Sequence, residues 1–145
     1  MIALDTNLLV YAARGELPFH QPALRCITEL AESGRAWTVP WPCVHEFIGV
    51  VSNPRLFKTP TTLATAFSAI DRMMESPAFV VLGEGSGHWA RLRALSTAGR
   101  IAGPMIHDAR IAAICIEHGV RELWSADRDF GRFPALRVVN PLARG

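Results

Sequence analysis

The stretch MIALDTNLLVYAA, residues 1–13, contains the feature that decides the fold: an aspartate between two apolar runs. Residues 2–4 predict a short buried strand, and the run that starts at Leu8 predicts a helix. Asp5 stands at the junction, where a charge is normally kept out of the interior. Asp5 either caps the helix by accepting a backbone N–H or belongs to a functional site at the end of the strand. This stretch alone leaves both explanations open.

The alternation of short apolar runs with longer amphipathic runs continues along the chain. Strands are predicted at residues 2–4, 37–39, 79–82, 122–125 and 136–139. Helices are predicted near residues 6–13, 21–33, 42–52, 61–75, 87–98 and 104–118. Gly34 and Gly119 follow helical patterns as C-terminal caps, and Pro42 and Pro104 stand where first-turn prolines are tolerated. This order predicts an α/β fold in which a parallel sheet of about five strands is flanked by helices.

Composition is typical of an ordinary globular protein. The chain has 145 residues, of which 50% are hydrophobic, so we expect a single domain over residues 1–145. The 3 cysteines have no CxxC spacing, which argues against a disulfide framework or a zinc site. Asp5 interrupts the N-terminal apolar stretch, which therefore does not resemble a signal peptide, and no run reaches the length of a membrane span. We therefore expect a cytoplasmic protein that does not associate with membranes.

Four carboxylates are predicted to meet at one edge of the sheet. Asp5 and Asp127 follow the carboxyl ends of predicted strands, where parallel α/β sheets have their functional crevice. Asp108 shares an apolar helical stripe with Ile111, so it needs a partner such as a salt bridge, a cap or a bound ion. Glu46 falls off the apolar stripe of its helix, as a surface glutamate does, but it lies near a helix start that follows a strand. These positions make all four acids candidate site residues.

Carboxylates that share a pocket repel one another unless a cation holds them. At an effective dielectric of about 20, a pair roughly 6 Å apart costs about 3 kcal/mol. Oxygen ligands without a required His or Cys favour the hard ion Mg²⁺, with Mn²⁺ as an alternative. His45 and His107 each precede a candidate acid, but neighbours on a helix point roughly 100° apart and are poor co-ligands. The pattern therefore predicts a divalent-metal site made of carboxylates.

Four motifs in order carry a family resemblance: DTN (5–7), HEFIGVV (45–51), HDARIAA (107–113) and LWSADRDFGRFP (123–134). Together they resemble the PIN-domain endoribonucleases, especially the VapC-type toxins of toxin–antitoxin modules. The resemblance runs over nearly the whole chain and implies a PIN-like three-layer α/β/α fold. It also implies that Asp5 and Asp108 bind Mg²⁺ and that Glu46 and Asp127 complete the catalytic site.

The resemblance assigns supporting roles to four further polar residues. Thr6 and Asn7 match the small polar pair that supports the first acid by hydrogen bonding. Ser125 stands where threonine is more usual in the family, and this departure keeps the hydroxyl. Asp129 matches the second acid of the family's DxDF ending. It is expected either to hydrogen-bond to the metal ligands without binding the metal itself or to cap a helix.

The implied activity is hydrolysis of RNA phosphodiester bonds by a metal-activated water, which leaves a 5′-phosphate and a 3′-hydroxyl. Arg128 and Arg132 are the arginines nearest in sequence to the acids. They are candidates to hold the RNA backbone, with solvated surface charge as the alternative.

The resemblance also implies protein partners. VapC-type toxins are made with a small VapB-type antitoxin whose C-terminal segment lies across the active-site groove, and they commonly form homodimers through helices. The predicted helix 61–75 has one apolar face, which is either core or a docking surface for a partner. The residues of this face are Leu63, Phe67, Ile70 and Met74.

Other functions are compatible with parts of the pattern. A structure-specific DNA nuclease has the same kind of site, although the short chain, without an insertion to clamp a duplex, favours RNA. A non-catalytic PIN-like binding module is favoured by loss of an acid, whereas all four acids are present here. A phosphoacceptor receiver domain needs an early acid pair and a lysine after a late strand, and a haloacid-type phosphatase needs DxD after its first strand. The motif DTN fits neither.

Overall fold

The five strands of the fold form one parallel sheet. The computed structural model describes residues 1–144, apart from the side chains of Arg128, Asp129 and Arg144. Within that part of the chain, the strands are β1 (Ile2–Leu4), β2 (Trp37–Thr38), β3 (Phe79–Val80), β4 (Glu122–Trp124) and β5 (Arg137–Val139). The sheet order is β3-β2-β1-β4-β5, and every neighbouring pair is parallel. The predicted fold class is confirmed.

Six α-helices flank this sheet in the described residues. They are α1 (Thr6–Ala13), α2 (His20–Glu32), α3 (Trp41–Val51), α4 (Leu63–Met74), α5 (His88–Ala98) and α6 (Ile106–Glu117). Helices α1 to α4 connect β1, β2 and β3, which follow one another towards one side of the sheet. Helices α5 and α6 then lead the chain back to β4, on the other side of β1. Right-handed crossovers therefore place the two groups on opposite faces of the sheet, and the helices pack accordingly within each group. No helix of residues 1–144 has the length and apolar character to cross a membrane.

The helix ends follow the local sequence signals. Gly34 and Gly119 adopt φ angles of 77° and 74°, the left-handed conformation that ends a helix. Thr62 caps α4 by accepting the backbone N–H of Thr65 at 3.2 Å. Pro104 lies in a 3₁₀ turn, Gly103–Met105, so α6 begins at Ile106 rather than at residue 104.

The apolar face predicted on α4 is divided between core and surface. Ile70 is buried together with Ala66, whereas Leu63, Phe67 and Met74 are 57%, 54% and 44% exposed. The side of α4 that packs against the core is the side that carries Ala66 and Ile70. The predicted face is rotated away from this side, so most of it is exposed to solvent. The alternative that this face is simply core is therefore wrong for three of its four residues, and an exposed apolar surface remains on α4.

The strand order reverses direction at β1, which lies between β2 and β4. In open α/β sheets, ligands bind in the crevice outside the carboxyl ends of strands at such a switch point. Leu4 pairs with Trp124 in the β1–β4 register. The next residues along each strand, Asp5 and Ser125, therefore leave the sheet side by side at this crevice.

Candidate active site

Asp5 is held by donors from several elements at the end of β1. Its Oδ1 accepts the backbone N–H of Thr6 at 2.8 Å, which confirms the predicted cap of α1. Its Oδ2 accepts the Ser125 hydroxyl at 2.7 Å and the Asn7 amide at 3.3 Å. The Cys43 thiol donates to Oδ1 at 3.6 Å from α3. Asp5 is only 6% exposed, so these bonds fix the orientation of its carboxylate.

Ser125 and Asn7 connect this carboxylate to the loop after β4. The Ser125 hydroxyl, which is 1% exposed, accepts the backbone N–H of Asp127 at 2.9 Å and the Asn7 amide at 3.2 Å. The Asn7 carbonyl oxygen accepts the backbone N–H of Ala126 at 3.2 Å. The two side chains therefore position Asp5 relative to the backbone that carries Asp127.

The four predicted acids line one cavity of about 270 Å³ at the switch point. Asp5 comes from the end of β1, Glu46 from the second turn of α3, and Asp108 from the first turn of α6. Asp127 follows β4. The other lining residues are Thr6, Asn7, Val10, Tyr11, Val50 and Ile111.

Glu46 and Asp108 reach the cavity from the first two turns of their helices. Glu46 is exposed, as its position off the apolar stripe predicts, but α3 begins at the carboxyl edge of the sheet and carries it to the cavity. Asp108 is half-buried, while Ile111 and Cys115 on the same stripe are fully buried. The apolar stripe of α6 is therefore buried at Ile111 and Cys115 and becomes partly exposed at Asp108.

The surroundings of two of the four acids, Asp5 and Glu46, disfavour the negatively charged form. Burial raises the pKa of Asp5 above its ordinary value, against the lowering effect of its hydrogen bonds to Ser125 and Thr6. Burial also raises the pKa of Glu46, the negative charge of Asp5 adds to this effect, and His107 opposes it. A cation in the cavity would reverse these shifts, because it favours the ionised form of each carboxyl group.

The donor set fits a hydrated divalent ion. Among the described residues, no group of three His, Cys, Asp or Glu side chains is placed to share one ion. Mg²⁺ commonly binds through one or two carboxylates and completes its shell with water and phosphate. The cavity supplies carboxylate oxygens and room for such water, which suits Mg²⁺ or Mn²⁺ better than a soft ion.

Of three further residues predicted to assist the site, only Arg132 has a side chain in the described part of the chain. The side chains of Asp129 and Arg128 lie outside the described residues. Arg132 donates to the carbonyl oxygens of Gly99 and Arg100, at 3.3 Å and 3.5 Å, and does not line the cavity. Arg132 is therefore bonded to the loop after α5.

The sequence prediction did not include Tyr11, which lines the cavity, or the Cys43 thiol, which contacts Asp5. Tyr11 lies one turn beyond Asn7 on α1, an i, i+4 spacing that could have identified it. Cys43 lies one turn before Glu46 on α3, but its thiol turns towards Asp5. Nothing in the sequence marks a lone buried cysteine for such a contact.

Comparison with known proteins decides the family. The profile of the PIN domain family matches residues 2–136. The chain belongs to the PIN-domain family. Ribonuclease VapC43 of Mycobacterium tuberculosis is 37% identical over 142 residues, which cover 98% of this chain and 96% of that protein. The predicted resemblance to VapC-type PIN domains is confirmed.

Solved structures show the same PIN-domain fold. VapBC2 from Rickettsia felis, bound to a DNA fragment from their promoter, matches with a TM-score of 0.70 at 21% identity, over 97% of this chain and 98% of that chain. VapC20 of Mycobacterium tuberculosis, a sarcin-ricin loop cleaving toxin, matches with a TM-score of 0.68 at 16% identity, over 94% and 99% of the two chains. At these identities the likeness concerns the fold.

Removal of the Ser125 hydroxyl from this PIN domain is expected to weaken divalent-metal binding by about tenfold or more. Ser125→Ala removes the shortest hydrogen bond to Asp5 and the acceptor of the Asp127 N–H. Ser125→Thr keeps a hydroxyl and serves as the matched variant. Calorimetric titration with Mn²⁺ measures both, and equal affinities of the two variants would contradict the positioning role.

The metal-free PIN domain is expected to lose stability as pH rises through the raised pKa of Asp5. For an acid whose pKa is higher in the folded state, the stabilising contribution is complete below the unfolded-chain value of about 4 and disappears above the folded value. Asp5→Asn removes this group and is expected to flatten the dependence. Thermal melts in EDTA between about pH 4 and pH 8 measure the stability of both proteins. If stability depends on pH in the same way in both, Asp5 is not the cause of the loss.

Proposed function

We propose that this PIN domain is a divalent-metal-dependent endoribonuclease, with Mg²⁺ as the expected ion and Mn²⁺ as the alternative. We propose further that it is the toxin of a VapBC-type toxin–antitoxin pair. The observation that carries the proposal is the meeting of four carboxylates, from four separate segments, in one cavity at the switch point of the sheet. The similarity to VapC ribonucleases over nearly the whole chain supports RNA as the substrate.

Each acid has a proposed role. Asp5 and Asp108 are the direct metal ligands, and Glu46 and Asp127 complete the coordination sphere or orient the attacking water. The supporting residues are Thr6, Asn7, Ser125 and Asp129.

A divalent ion held by Asp5 and Asp108 would supply a Lewis acid and would lower the pKa of a water molecule. The residues of the chain provide the fixed geometry that this chemistry needs. Asp5 is already oriented by Ser125, Asn7 and the backbone of Thr6, so its carboxylate requires little rearrangement. An unmetallated cavity repels a phosphate through its carboxylates, so substrate and cation are expected to bind together.

The proposed activity is tested with the purified protein, total cellular RNA, and single- and double-stranded DNA, in Mg²⁺ or in EDTA. We expect discrete RNA fragments with 5′-phosphate ends in Mg²⁺ and none in EDTA. Cleavage of DNA alone would favour the structure-specific DNA nuclease. If a folded, metal-loaded and antitoxin-free protein cleaves neither, the chain is a non-catalytic PIN-like binding module.

We place the antitoxin-binding surface on α4 and the groove beside it. Leu63, Phe67 and Met74 expose their side chains on α4. A cavity of about 560 Å³ adjoins this helix and is lined mainly by apolar residues of α1, α2 and α4, with Trp37 and Phe47 also in its lining. An exposed apolar patch next to an apolar groove is typical of a protein-interaction site. VapBC2, which has the same fold, was solved as a VapB–VapC pair on promoter DNA.

We also propose that the protein acts in the cytoplasm as a homodimer formed through helices. Trp89 on α5 and Ile106 on α6 are 68% and 40% exposed, and both belong to the helix group opposite α4. A self-association surface there would leave the α4 surface accessible to an antitoxin. Light scattering of Trp89→Asp, compared with the unchanged protein, tests this assignment.

A further inference from the structure

The acid cavity has one apolar wall that the carboxylate chemistry does not use. Val10 and Tyr11 of α1 and Val50 of α3 form this wall. Tyr11 lies one turn beyond Asn7 on α1, and Val50 lies one turn beyond Glu46 on α3. The cavity therefore continues from the acids for one helical turn between α1 and α3, away from the carboxyl edge of the sheet.

Tyr11, the single tyrosine of the chain, is held in place at this wall. The Phe19 ring packs edge-on against the Tyr11 ring, with centroids 5.4 Å apart and planes at 70°. A ring nitrogen of His20 lies 2.9 Å from the Tyr11 carbonyl oxygen, which ties α2 to this turn of α1. A half-buried aromatic residue in a fixed position is suited to stack an unpaired base.

Beyond this wall, α1 and α3 lead to a basic loop. Arg14, at the end of α1, donates to the Thr61 hydroxyl at 3.0 Å and lies 4.2 Å from the centroid of the Phe57 ring. These contacts hold residues 52–62, which follow α3, against the end of α1. The same loop exposes Arg55 and Lys58 and contains no acidic residue. Two exposed cations therefore lie in the loop that is held at the end of α1, beyond the apolar wall.

We infer that a single strand of RNA lies along a track from the acids, over the apolar wall, to the basic loop. The scissile phosphate lies at the carboxylates, an adjoining base stacks at Tyr11, and later phosphates contact Arg55 and Lys58. This inference rests on the proposed nuclease function and adds the direction in which the substrate leaves the site. An aromatic side chain can stack against a base of an unpaired nucleic acid, and the cations beyond it can contact the phosphates of the backbone.

The basic end of the track is tested by the salt dependence of RNA binding. Fluorescence anisotropy is measured in Mg²⁺, with all four acids present, on a short fluorescein-labelled single-stranded RNA. Each linkage of this RNA carries a methylene group in place of O3′, so the strand keeps its charge but is not cleaved. Each contact to a single-stranded phosphate contributes about 0.7 to the slope of log K against log salt, so Arg55→Gln with Lys58→Gln is expected to lower the slope by about 1.4.

The matched control removes two charges at β4 and β5, the half of the sheet on the other side of β1 from β2 and β3. Arg121 and Arg137 are both exposed and stand at the amino ends of β4 and β5. Arg121→Gln with Arg137→Gln is expected to leave the slope unchanged. Equal slopes for the two double variants would overturn the track.

The aromatic platform is tested with Tyr11→Leu and Tyr11→Phe. Loss of the ring is expected to weaken RNA binding and to raise KM by about tenfold relative to Tyr11→Phe, which keeps the stacking surface. Equal binding by the two variants, in a protein that cleaves RNA, would overturn the base-stacking assignment alone. If the unchanged protein neither binds nor cleaves RNA, the proposed nuclease function itself fails.

Discussion

Asp5→Asn and Asp108→Asn are each expected to reduce RNA cleavage by at least about a thousandfold. The amide keeps the size of the side chain but removes the negative charge that would hold the cation. Asp5→Asn is expected to leave the metal-free fold intact, because the ionised carboxylate is disfavoured where it is buried. Cleavage is measured by gel assay on the same RNA for each variant, with thermal melts to verify folding.

Asp71→Asn provides the matched control for these two variants. Asp71 is an exposed aspartate on α4 and does not line the acid cavity. Its substitution changes the net charge equally and is expected to leave cleavage unchanged. Parental activity in Asp5→Asn or Asp108→Asn would contradict the assignment of that aspartate to the metal site.

Phe67→Asp is expected to weaken binding of a VapB-type antitoxin by at least about thirtyfold. Phe67 is 54% exposed on α4, so a charge there is tolerated by the fold but opposes an apolar contact with a partner. RNA cleavage by the isolated variant is expected to persist, because Phe67 does not line the acid cavity. Co-purification and titration with the antitoxin measure the loss.

The comparison variant for Phe67→Asp is Trp89→Asp on α5. Trp89 is also an exposed aromatic residue, 68% exposed, and it belongs to the helix group on the other face of the sheet. It is expected to retain the antitoxin. Equal loss in both variants, or none in either, would place the antitoxin elsewhere on the surface.

Much of this architecture could be predicted from local patterns. The strand at 2–4 and the strand that begins at Phe79 lie in short apolar runs next to turn signals. Gly34 and Gly119 mark helix ends through their left-handed backbone. The convergence of Asp5 and Asp127 follows from a general property of parallel sheets: the carboxyl ends of the strands face the same edge.

Features that depend on packing could not be predicted in the same way. Periodicity identifies the apolar stripe of α4 but does not fix the rotation of the helix, so it places Phe67 and Met74 on the same face as the buried Ile70. The position of β1 between β2 and β4 depends on how the long connections cross the sheet, which no single stretch encodes. The contact of Cys43 with Asp5 depends on the same packing.

The claim that the carboxylate cavity is a divalent-metal centre is tested most directly by calorimetric titration of the purified protein with Mn²⁺. We predict saturable binding that is retained in Asp71→Asn and lost in Asp5→Asn and Asp108→Asn. If the folded protein binds no Mn²⁺, or binds it with the same affinity in all three variants, the cavity is not the metal centre.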